Sequence, residues 1–200
     1  KINETEDNLM KKFDEKKAMD GITMFLQAYG VDLNEPGLEE TPRRIVQAYK
    51  EFLSGDNELN PKILSTDFIQ QYDEMIVVRD IPFVSMCEHH FLPFWGKAHV
   101  SYLPKGKVVG LSKVARLVEN IARQPQIQER MTKQIADSIE ETLETDGVGV
   151  VIAAEHSCLS FRGIKKHGST MITSAMNGNF RSDAKTRSEF MSIIEVGILK

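Results

Sequence analysis

The sequence has few cysteines, no long apolar run and no signal-like start. Only two cysteines occur among 200 residues, which is too few for the disulfide framework of a small secreted domain. No stretch approaches the roughly 20 apolar residues of a membrane span. The opening residues are too polar for the apolar segment of a signal peptide. We therefore expect a soluble, cytoplasmic protein with reduced thiols and no membrane partner.

An excess of positive charge is also missing, because the formal net charge is −4. Proteins that bind nucleic acid concentrate Lys and Arg on one surface, so we do not expect nucleic acid as a partner. A local basic pocket for a phosphorylated small molecule is still compatible with this charge. Hydrophobic residues make up 41% of the chain and charged residues 27%, which is typical of a globular protein with a sizeable core.

Hydrophobic spacing divides the chain into a helical first part and a mixed second part. Residues 1–73 are predicted to form an N-terminal helical extension, in which Thr41 and Pro42 suit the start of a helix. Over residues 74–200 the order strand, strand, helix, helix, strand, strand predicts an α+β domain. The main predicted strands cover residues 75–84, 96–103 and 147–154, and further strand-like segments follow at residues 171–175 and 189–196. The helices begin near Ser112, a suitable N-cap, and after Pro125.

The densest chemical signal is a pair of cysteine–histidine clusters. Cys87, His89 and His90 form one, and His156 and Cys158 form the other. Each follows a predicted strand, so neighbouring strands would bring the clusters together at one end of a sheet. Thiolate and imidazole are preferred zinc ligands, and three protein ligands plus a water are typical of a catalytic site. Two cysteines and one histidine fit that number and leave the other histidines for proton transfer.

Simpler interpretations of these residues exist. Free cysteine is commonly buried without any metal, and a Cys87–Cys158 disulfide is possible but disfavoured in a reducing compartment. The grouping into two tight pairs favours metal binding. His99 and His167 are isolated, and we predict that they are ordinary packing or surface histidines.

A second signal is a set of cations near helix starts and after the second cluster. Lys113 and Arg116 lie three residues apart on one helix face, beside Ser112 at the predicted helix start. Arg162 follows the second cluster, and Arg44 lies near an earlier helix N-terminus, which favours anions. Each one alone is best interpreted as surface charge, but together they could clamp a polyphosphate.

Gln128 and Glu129 open the long predicted helix. A carboxylate at this place can accept two hydrogen bonds from the N1–H and N2–H donors of a guanine edge. The plainer interpretation is a solvated acid that complements the helix dipole. On physical grounds alone the plainer interpretation is favoured.

Six motifs, taken in chain order, resemble those of the GTP cyclohydrolase I family. The resemblance extends from about Leu38 to Ile194, and the ordered set is highly specific. It implies a tunnelling fold, in which antiparallel sheets and helix pairs assemble into a ring, typically a homodecamer with active sites between subunits. The motifs are Thr41-Pro42-Arg43-Arg44, Cys87-Glu88-His89-His90, Gly110-Leu111-Ser112-Lys113, Gln126-Ile127-Gln128-Glu129-Arg130, His156-Ser157-Cys158 through Arg162-Gly163, and Thr186-Arg187 with Glu189-Phe190.

The resemblance also implies an activity and a role for each candidate residue. The enzyme would hydrolyse the guanine imidazole ring of GTP to give 7,8-dihydroneopterin triphosphate and formate, the first step of pterin (tetrahydrofolate or tetrahydrobiopterin) biosynthesis. Cys87, His90 and Cys158 would hold one zinc ion per subunit. His156 would be the main acid/base, and His89 would support proton transfer. Substrate contacts would come from Glu129 and Gln128 at the guanine, Ser112 near the ribose, and Lys113, Arg116, Arg162 and Arg44 at the triphosphate, with Arg44 supplied by a neighbouring subunit.

Three other functions fit parts of this pattern. Zinc nucleobase deaminases also activate water at a Cys/His site, but their H-x-E and P-C-x-x-C signatures are absent from this sequence. A non-catalytic pterin- or purine-binding member of the fold would be expected to lose the zinc ligands or the acid/base histidine. A structural zinc site would need four protein ligands.

Overall fold

The computed structural model describes residues 13–65, 67–69 and 72–195. The chain divides into two compact units, residues 1–51 and residues 52–200. The helical prediction for the first twelve residues lies outside the described part of the chain. The boundary that we predict between an extension and a catalytic domain, at residues 73 and 74, stays a prediction.

The first unit is helical, as the sequence indicates. Helix α1 (Glu15–Ala28) begins after Asp14, whose side chain accepts a hydrogen bond from the backbone N–H of Lys17 at 2.9 Å. Such a contact satisfies one of the free donors of a first helical turn. Helix α2 (Thr41–Phe52) begins at the predicted Thr-Pro pair, where proline lacks only a donor that the helix does not use.

The described residues of the second unit form two β-sheets. A small sheet pairs two short antiparallel strands, and a larger one has five strands. The predicted alternation and apolar runs account for the long strands, which bury most of their apolar side chains. The strands are β1 (Asp67–Ile69), β2 (Ile76–Cys87), β3 (Pro93–Pro104), β4 (Lys107–Val109), β5 (Pro125–Gln126), β6 (Thr145–His156) and β7 (Thr170–Gly178).

The large sheet has the order β5-β2-β3-β6-β7. Strand β3 is antiparallel to both β2 and β6, so these two strands point in the same direction. Their carboxyl ends therefore lie at the same end of the sheet, which is called its edge below. At that edge Met86 pairs with Pro93, and His156 pairs with Phe94. The two cluster-bearing strands are in one sheet but are not direct neighbours. One strand lies between them, and the clusters meet across its first residues.

Two long helices cover one face of this sheet. They are α4 (Leu111–Ala122) and α5 (Gln128–Thr142), and α4 contacts β2 whereas α5 contacts β6 and β7. Burial of each large apolar side chain contributes about 1.5–3 kcal/mol, so this helix–sheet interface is the main core. Its fully buried residues include Leu117, Ile121, Met131, Ile135, Ile139, Phe94, Tyr102 and Ile152.

The start of α4 differs from the prediction. Gly110 occupies the N-cap position, and Ser112 lies inside the first turn rather than at the cap. The helix begins at Leu111, one residue before Ser112, although the Leu111 side chain is exposed. Ser112 is consequently an exposed residue of the first turn.

The last predicted strand, at residues 189–196, is wrong. Helix α8 (Ala184–Glu195) occupies residues 189–195, and Val196 lies outside the described residues. The Asp183 side chain accepts hydrogen bonds from the backbone N–H groups of Lys185 and Thr186, a capping signal that the strand prediction missed. Phe190 and Ile194, four residues apart, are both buried. Their spacing is helical and not alternating.

The remaining helices are short. They are α3 (Asn60–Leu64), which packs on α4 and α5, α6 (Ser157–Ser160) and α7 (Asn179–Ser182). A helix pair on an antiparallel sheet, preceded along the chain by helices, confirms the predicted α+β class. In the described part of the chain, no helix is both long and apolar enough to cross a bilayer.

Candidate functional site

Three of the predicted ligands converge at the edge of the large sheet. The Sγ atoms of Cys87 and Cys158 and a ring nitrogen of His90 all lie within 4.8 Å of one another. Cys87 is buried, Cys158 is half-buried and His90 is exposed. Ligands bound to zinc at about 2.0–2.3 Å in a tetrahedral arrangement lie roughly 3.5–3.8 Å apart, so the three groups need only small adjustments to hold one ion. Both cysteines are free thiols.

A tight turn brings His90 back towards Cys87. The backbone N–H of Phe91 donates to the carbonyl oxygen of Cys87 at 2.8 Å, and the N–H of Cys87 donates to Leu92 at 2.9 Å. Phe91 has a φ of 52°, a left-handed conformation that costs a non-glycine residue energy. The two backbone hydrogen bonds that close the turn hold Phe91 in this conformation.

A second set of contacts holds the same turn from the side of α5. The N–H of Glu88 donates to the carbonyl oxygen of Gln126 at 3.0 Å. The guanidinium of Arg130 donates to the Glu88 carboxylate at 2.5 Å and to Oε1 of Gln126 at 3.1 Å. Groups behind metal ligands commonly orient them in this way. The sequence alone predicts no role for Arg130 and Gln126, although both lie in one of the family-like motifs.

The other ligand-bearing segment is anchored to the start of β3. The hydroxyl of Ser157 donates to the carbonyl oxygen of Pro93, and Ser157 is buried. The His156 ring stacks on Phe94, with ring centroids 4.5 Å apart and planes only 2° from parallel. Cys158 is the second residue of α6 and lies two residues beyond the end of β6, within reach of Cys87 and His90.

The electrostatics of the cysteines favour a bound cation. Burial and the neighbouring Cys87 thiol raise the pKa of Cys158, whereas the positive charge of Arg162 lowers it in part. The Cys158 thiol therefore resists deprotonation, because burial and the nearby sulfur of Cys87 disfavour its thiolate. A divalent cation between the two sulfur atoms offsets that effect and stabilises both thiolates. The donor set therefore fits a metal of the zinc type.

The two remaining histidines belong to the same two segments as the ligands. His89 is exposed, and its Nδ1 atom is 3.9 Å from the Sγ atom of Cys87. His156 is half-buried, and its Nε2 atom is 2.8 Å from Oε1 of Gln128. Burial lowers the pKa of His156, and the negative charge of Glu129 opposes that effect. The imidazole and the exposed Glu129 carboxylate thus lie near enough to interact.

The predicted cations form a looser group. Lys113 is half-buried and Arg116 is exposed, both in the first half of α4, and Arg162 is exposed after α6. Among the described residues, none of these three side chains takes part in an ion pair or hydrogen bond. Arg44 belongs to the first unit, where its guanidinium is 3.4 Å from the carbonyl oxygen of Gly37. Lys165 and Lys166 are exposed, as expected for surface residues.

The isolated histidines behave as ordinary residues. His99 is buried, and its Nδ1 atom accepts a hydrogen bond from the backbone N–H of Asp80 at 3.2 Å. His167 is exposed, and its ring lies 5.9 Å from that of Phe161. Neither histidine belongs to the group of residues that could hold a metal.

The chain is similar to known proteins over most of its length. The family model described as GTP cyclohydrolase I matches residues 18–195. GTP cyclohydrolase 1 of Halalkalibacterium halodurans is 49% identical over 187 residues, which cover 93% of this chain and 100% of that protein. GTP cyclohydrolase 1 of Carboxydothermus hydrogenoformans is 50% identical over 182 residues, which cover 90% of this chain and 95% of that protein.

One solved structure shows a weaker likeness. The archaeosine synthase QueF-Like in the apo form has a TM-score of 0.46 and 13% identity, covering 54% of this chain and 97% of that chain. The assignment follows from the family match and from relatives about half identical over nine-tenths of the chain. The chain belongs to the GTP cyclohydrolase I family.

Proposed function

We propose that this chain is a zinc-dependent GTP cyclohydrolase I that converts GTP to 7,8-dihydroneopterin triphosphate and formate. The observation that carries the proposal is the convergence of two thiols and one imidazole within 4.8 Å. Three protein ligands leave a fourth position open for water, as in catalytic zinc sites. The product would be the first intermediate of a pterin pathway.

The metal would be held by Cys87, His90 and Cys158, one ion per subunit. Bound there, zinc supplies Lewis-acid activation of water near neutral pH. The turn that contains Cys87 and His90 is fixed by its own backbone and by Arg130. This rigidity supports a site that keeps its ligands in place while the substrate changes shape.

His156 is the residue that we propose transfers protons to and from the guanine imidazole ring. It is half-buried beside Cys158, and burial favours its neutral form by lowering its pKa. A neutral imidazole can accept a proton and then return it, the property needed for general acid–base catalysis. His89, which is exposed and near Cys87, would assist proton transfer or orient the site.

Glu129 would recognise the guanine. It lies in the first turn of α5, is exposed, and is near enough to His156 to affect the pKa of that residue. A carboxylate at this place can accept from both N1–H and N2–H of guanine. The same pairing discriminates against adenine, which offers no donor at N1.

The triphosphate would be bound by Lys113, Arg116 and Arg162, with Ser112 near the ribose. These cations have no competing carboxylate partner in the described part of the chain, so their charge is available to an anion. Arg44 would join them from a neighbouring subunit. Charge-assisted contacts to phosphate are among the stronger hydrogen bonds.

Assembly into a homodecamer is part of the same proposal. The tunnelling fold of this family uses an antiparallel sheet, and here β7 forms one edge of that sheet. An unpaired edge strand is a template for pairing with another chain. Ring formation would pair such edges and would bring Arg44 of one subunit to the site of another.

The test is to incubate purified, zinc-loaded protein with GTP and to measure formate together with neopterin fluorescence after oxidation. The proposal predicts that both products appear and that a zinc chelator abolishes both. A protein with one zinc per chain that releases neither product would contradict it. Such a result would favour a different purine substrate or a binding role.

A further inference from the structure

Gln128 has an unusual position for a residue expected to contact the substrate. It is the first residue of α5, only 1% of its surface is exposed, and its side chain reaches β6 and β7. All polar atoms of its carboxamide contact protein atoms. These contacts determine which way the carboxamide faces.

The amide nitrogen is identified by its partners. It lies 3.1 Å from the carbonyl oxygen of Ile152 and 3.0 Å from that of Met171. Carbonyl oxygens only accept hydrogen bonds, so the atom facing them must be the NH2 group. The third neighbour is the hydroxyl of Thr173 at 3.1 Å.

The Thr173 hydroxyl also acts as an acceptor towards Gln128. The hydroxyl of Thr132 donates to the backbone carbonyl of Gln128 at 2.7 Å and lies 2.6 Å from the Thr173 hydroxyl. Because the only hydrogen of Thr132 is already used, Thr173 must donate to Thr132. Thr173 then has only lone pairs left for Gln128. Three acceptors therefore surround the amide nitrogen, and Oε1 faces His156.

The orientation of the Gln128 carboxamide determines which ring nitrogen of His156 carries a hydrogen. Oε1 of Gln128 can only accept, and it is 2.8 Å from Nε2 of His156, so Nε2 must carry a hydrogen. In a neutral imidazole the other nitrogen, Nδ1, is then unprotonated. No described residue forms a hydrogen bond with Nδ1. Stacking on Phe94 keeps the ring plane in this orientation.

We propose that Gln128 is a positioning residue that holds His156 in the Nε2–H tautomer, so that Nδ1 is the nitrogen that exchanges protons with the substrate. This inference rests on the proposed function. In each cycle Nδ1 would accept one proton from the water whose oxygen forms the new bond to the guanine imidazole ring, and would give that proton to a purine nitrogen. The Nε2–H group stays bonded to Gln128 throughout, so no net proton remains on the ring.

The proposal gives Gln128 a different role from guanine binding, and the two roles have different kinetic consequences. Loss of a substrate contact raises the dissociation constant of GTP and the KM. Loss of a positioning contact leaves GTP binding intact and lowers kcat, because the wrong nitrogen then carries the proton in part of the molecules.

The first measurement is the protonation state of the two His156 ring nitrogens by 15N NMR on zinc-loaded protein labelled at histidine. Spectra of His156→Ala identify the resonances by their disappearance. We expect a protonated Nε2 and an unprotonated Nδ1 in the unaltered protein. A proton on Nδ1 would overturn the proposal, whether or not the protein turns over GTP.

The second measurement compares Gln128→Leu with Thr173→Val, a matched control that alters the same network but keeps the Gln128–His156 bond. For Gln128→Leu we expect a mixture of His156 tautomers, unchanged zinc content and GTP binding, and a kcat about 100-fold lower. Thr173→Val should keep the tautomer and most of the kcat. Weaker GTP binding with an unchanged kcat and tautomer in Gln128→Leu would contradict a positioning role.

The two measurements also separate this inference from the proposed function. If the unaltered protein does not act on GTP but shows the Nε2–H tautomer, and Gln128→Leu loses it, Gln128 positions His156 and only the reaction is misassigned. If Gln128→Leu does not fold, the tautomer of the unaltered protein decides the matter.

Discussion

The two sides of the candidate site are built in different ways. The metal side is held by backbone hydrogen bonds around Cys87 and by the contact of Ser157 with Pro93. The phosphate side consists of exposed or half-buried cations, among them Lys113 and Arg116, that make no ion pair in the described part of the chain. Under the proposed function, the metal ligands are held in place before the substrate binds, whereas the cations have no carboxylate partner in the described residues and are available to an anion.

This contrast matches the different requirements of metal binding and phosphate binding. A metal site needs ligands within a few tenths of an ångström of fixed positions, and a rigid turn supplies that. Phosphate groups are recognised mainly through charge, and long Lys and Arg side chains tolerate small displacements. Substitutions on the metal side should therefore have larger effects than substitutions among the cations.

The largest effect is expected from Cys158→Ser. A hydroxyl is a poor zinc ligand compared with a thiolate, so bound zinc and activity should be lost together. The loss of zinc affinity should exceed the roughly 10–100-fold typical of residues behind a ligand. Zinc content by elemental analysis and formate release from GTP measure the two effects. Full activity with one zinc per chain would remove Cys158 from the ligand set.

The next effect concerns proton transfer without metal loss. His156→Ala should keep zinc and GTP binding and lower kcat roughly 10²–10⁴-fold, the usual contribution of a general acid–base group. Single-turnover kinetics and equilibrium binding of GTP separate the two quantities. A kcat within a few-fold of the unaltered protein would exclude His156 as the acid/base.

A smaller effect is expected from the support behind the ligands. Arg130→Gln removes the ion pair with Glu88 that holds the Cys87 turn. We expect zinc affinity to fall about 10–100-fold, measured by competition with a chelator. Lys133→Met is the matched control, because Lys133 pairs with Asp137 on the exposed face of the same helix. Equal zinc affinity in both variants would show that Arg130 does not support the site.

The smallest effect per residue is expected among the cations. Lys113→Ala or Arg116→Ala should raise the KM for GTP about tenfold, the equivalent of one charge-assisted hydrogen bond, with little change in kcat. The effect should weaken as salt is added, because salt screens exposed charges. Lys165→Ala, an exposed lysine with no proposed role, is the control. An unchanged KM in both variants would remove α4 from the triphosphate site.

The sequence predicted most of the elements because their periodicities are strong. The regular spacing of Met131, Ile135 and Ile139 indicates α5, and the apolar run before His156 indicates β6. Helix α8 is not evident from the apolar residues alone, because Phe190 and Ile194 also fit a short strand-like segment, and its start is indicated only by the Asp183 cap. Local patterns thus define elements well but define their ends and short amphipathic helices less well.

Within the site, the ligands were predictable and their supports were not. Cysteine and histidine side chains such as those of Cys87 and His156 can be recognised as candidate ligands and proton carriers from the sequence alone. The structure brings their clusters together. The Arg130–Glu88 and Gln128–His156 contacts depend on how α5 packs against the sheet, which no local pattern encodes. The position of β3 between β2 and β6 likewise depends on how the whole sheet assembles, so local sequence patterns do not predict it.

The central claim is that one zinc ion held by Cys87, His90 and Cys158 is required for turnover of GTP. The most direct measurement is to titrate zinc into chelator-treated protein while following formate release. We predict that activity is absent without metal, rises in proportion to added zinc and reaches a plateau at one zinc per chain. Formate release by the metal-free protein, or none at full zinc occupancy, would contradict the claim.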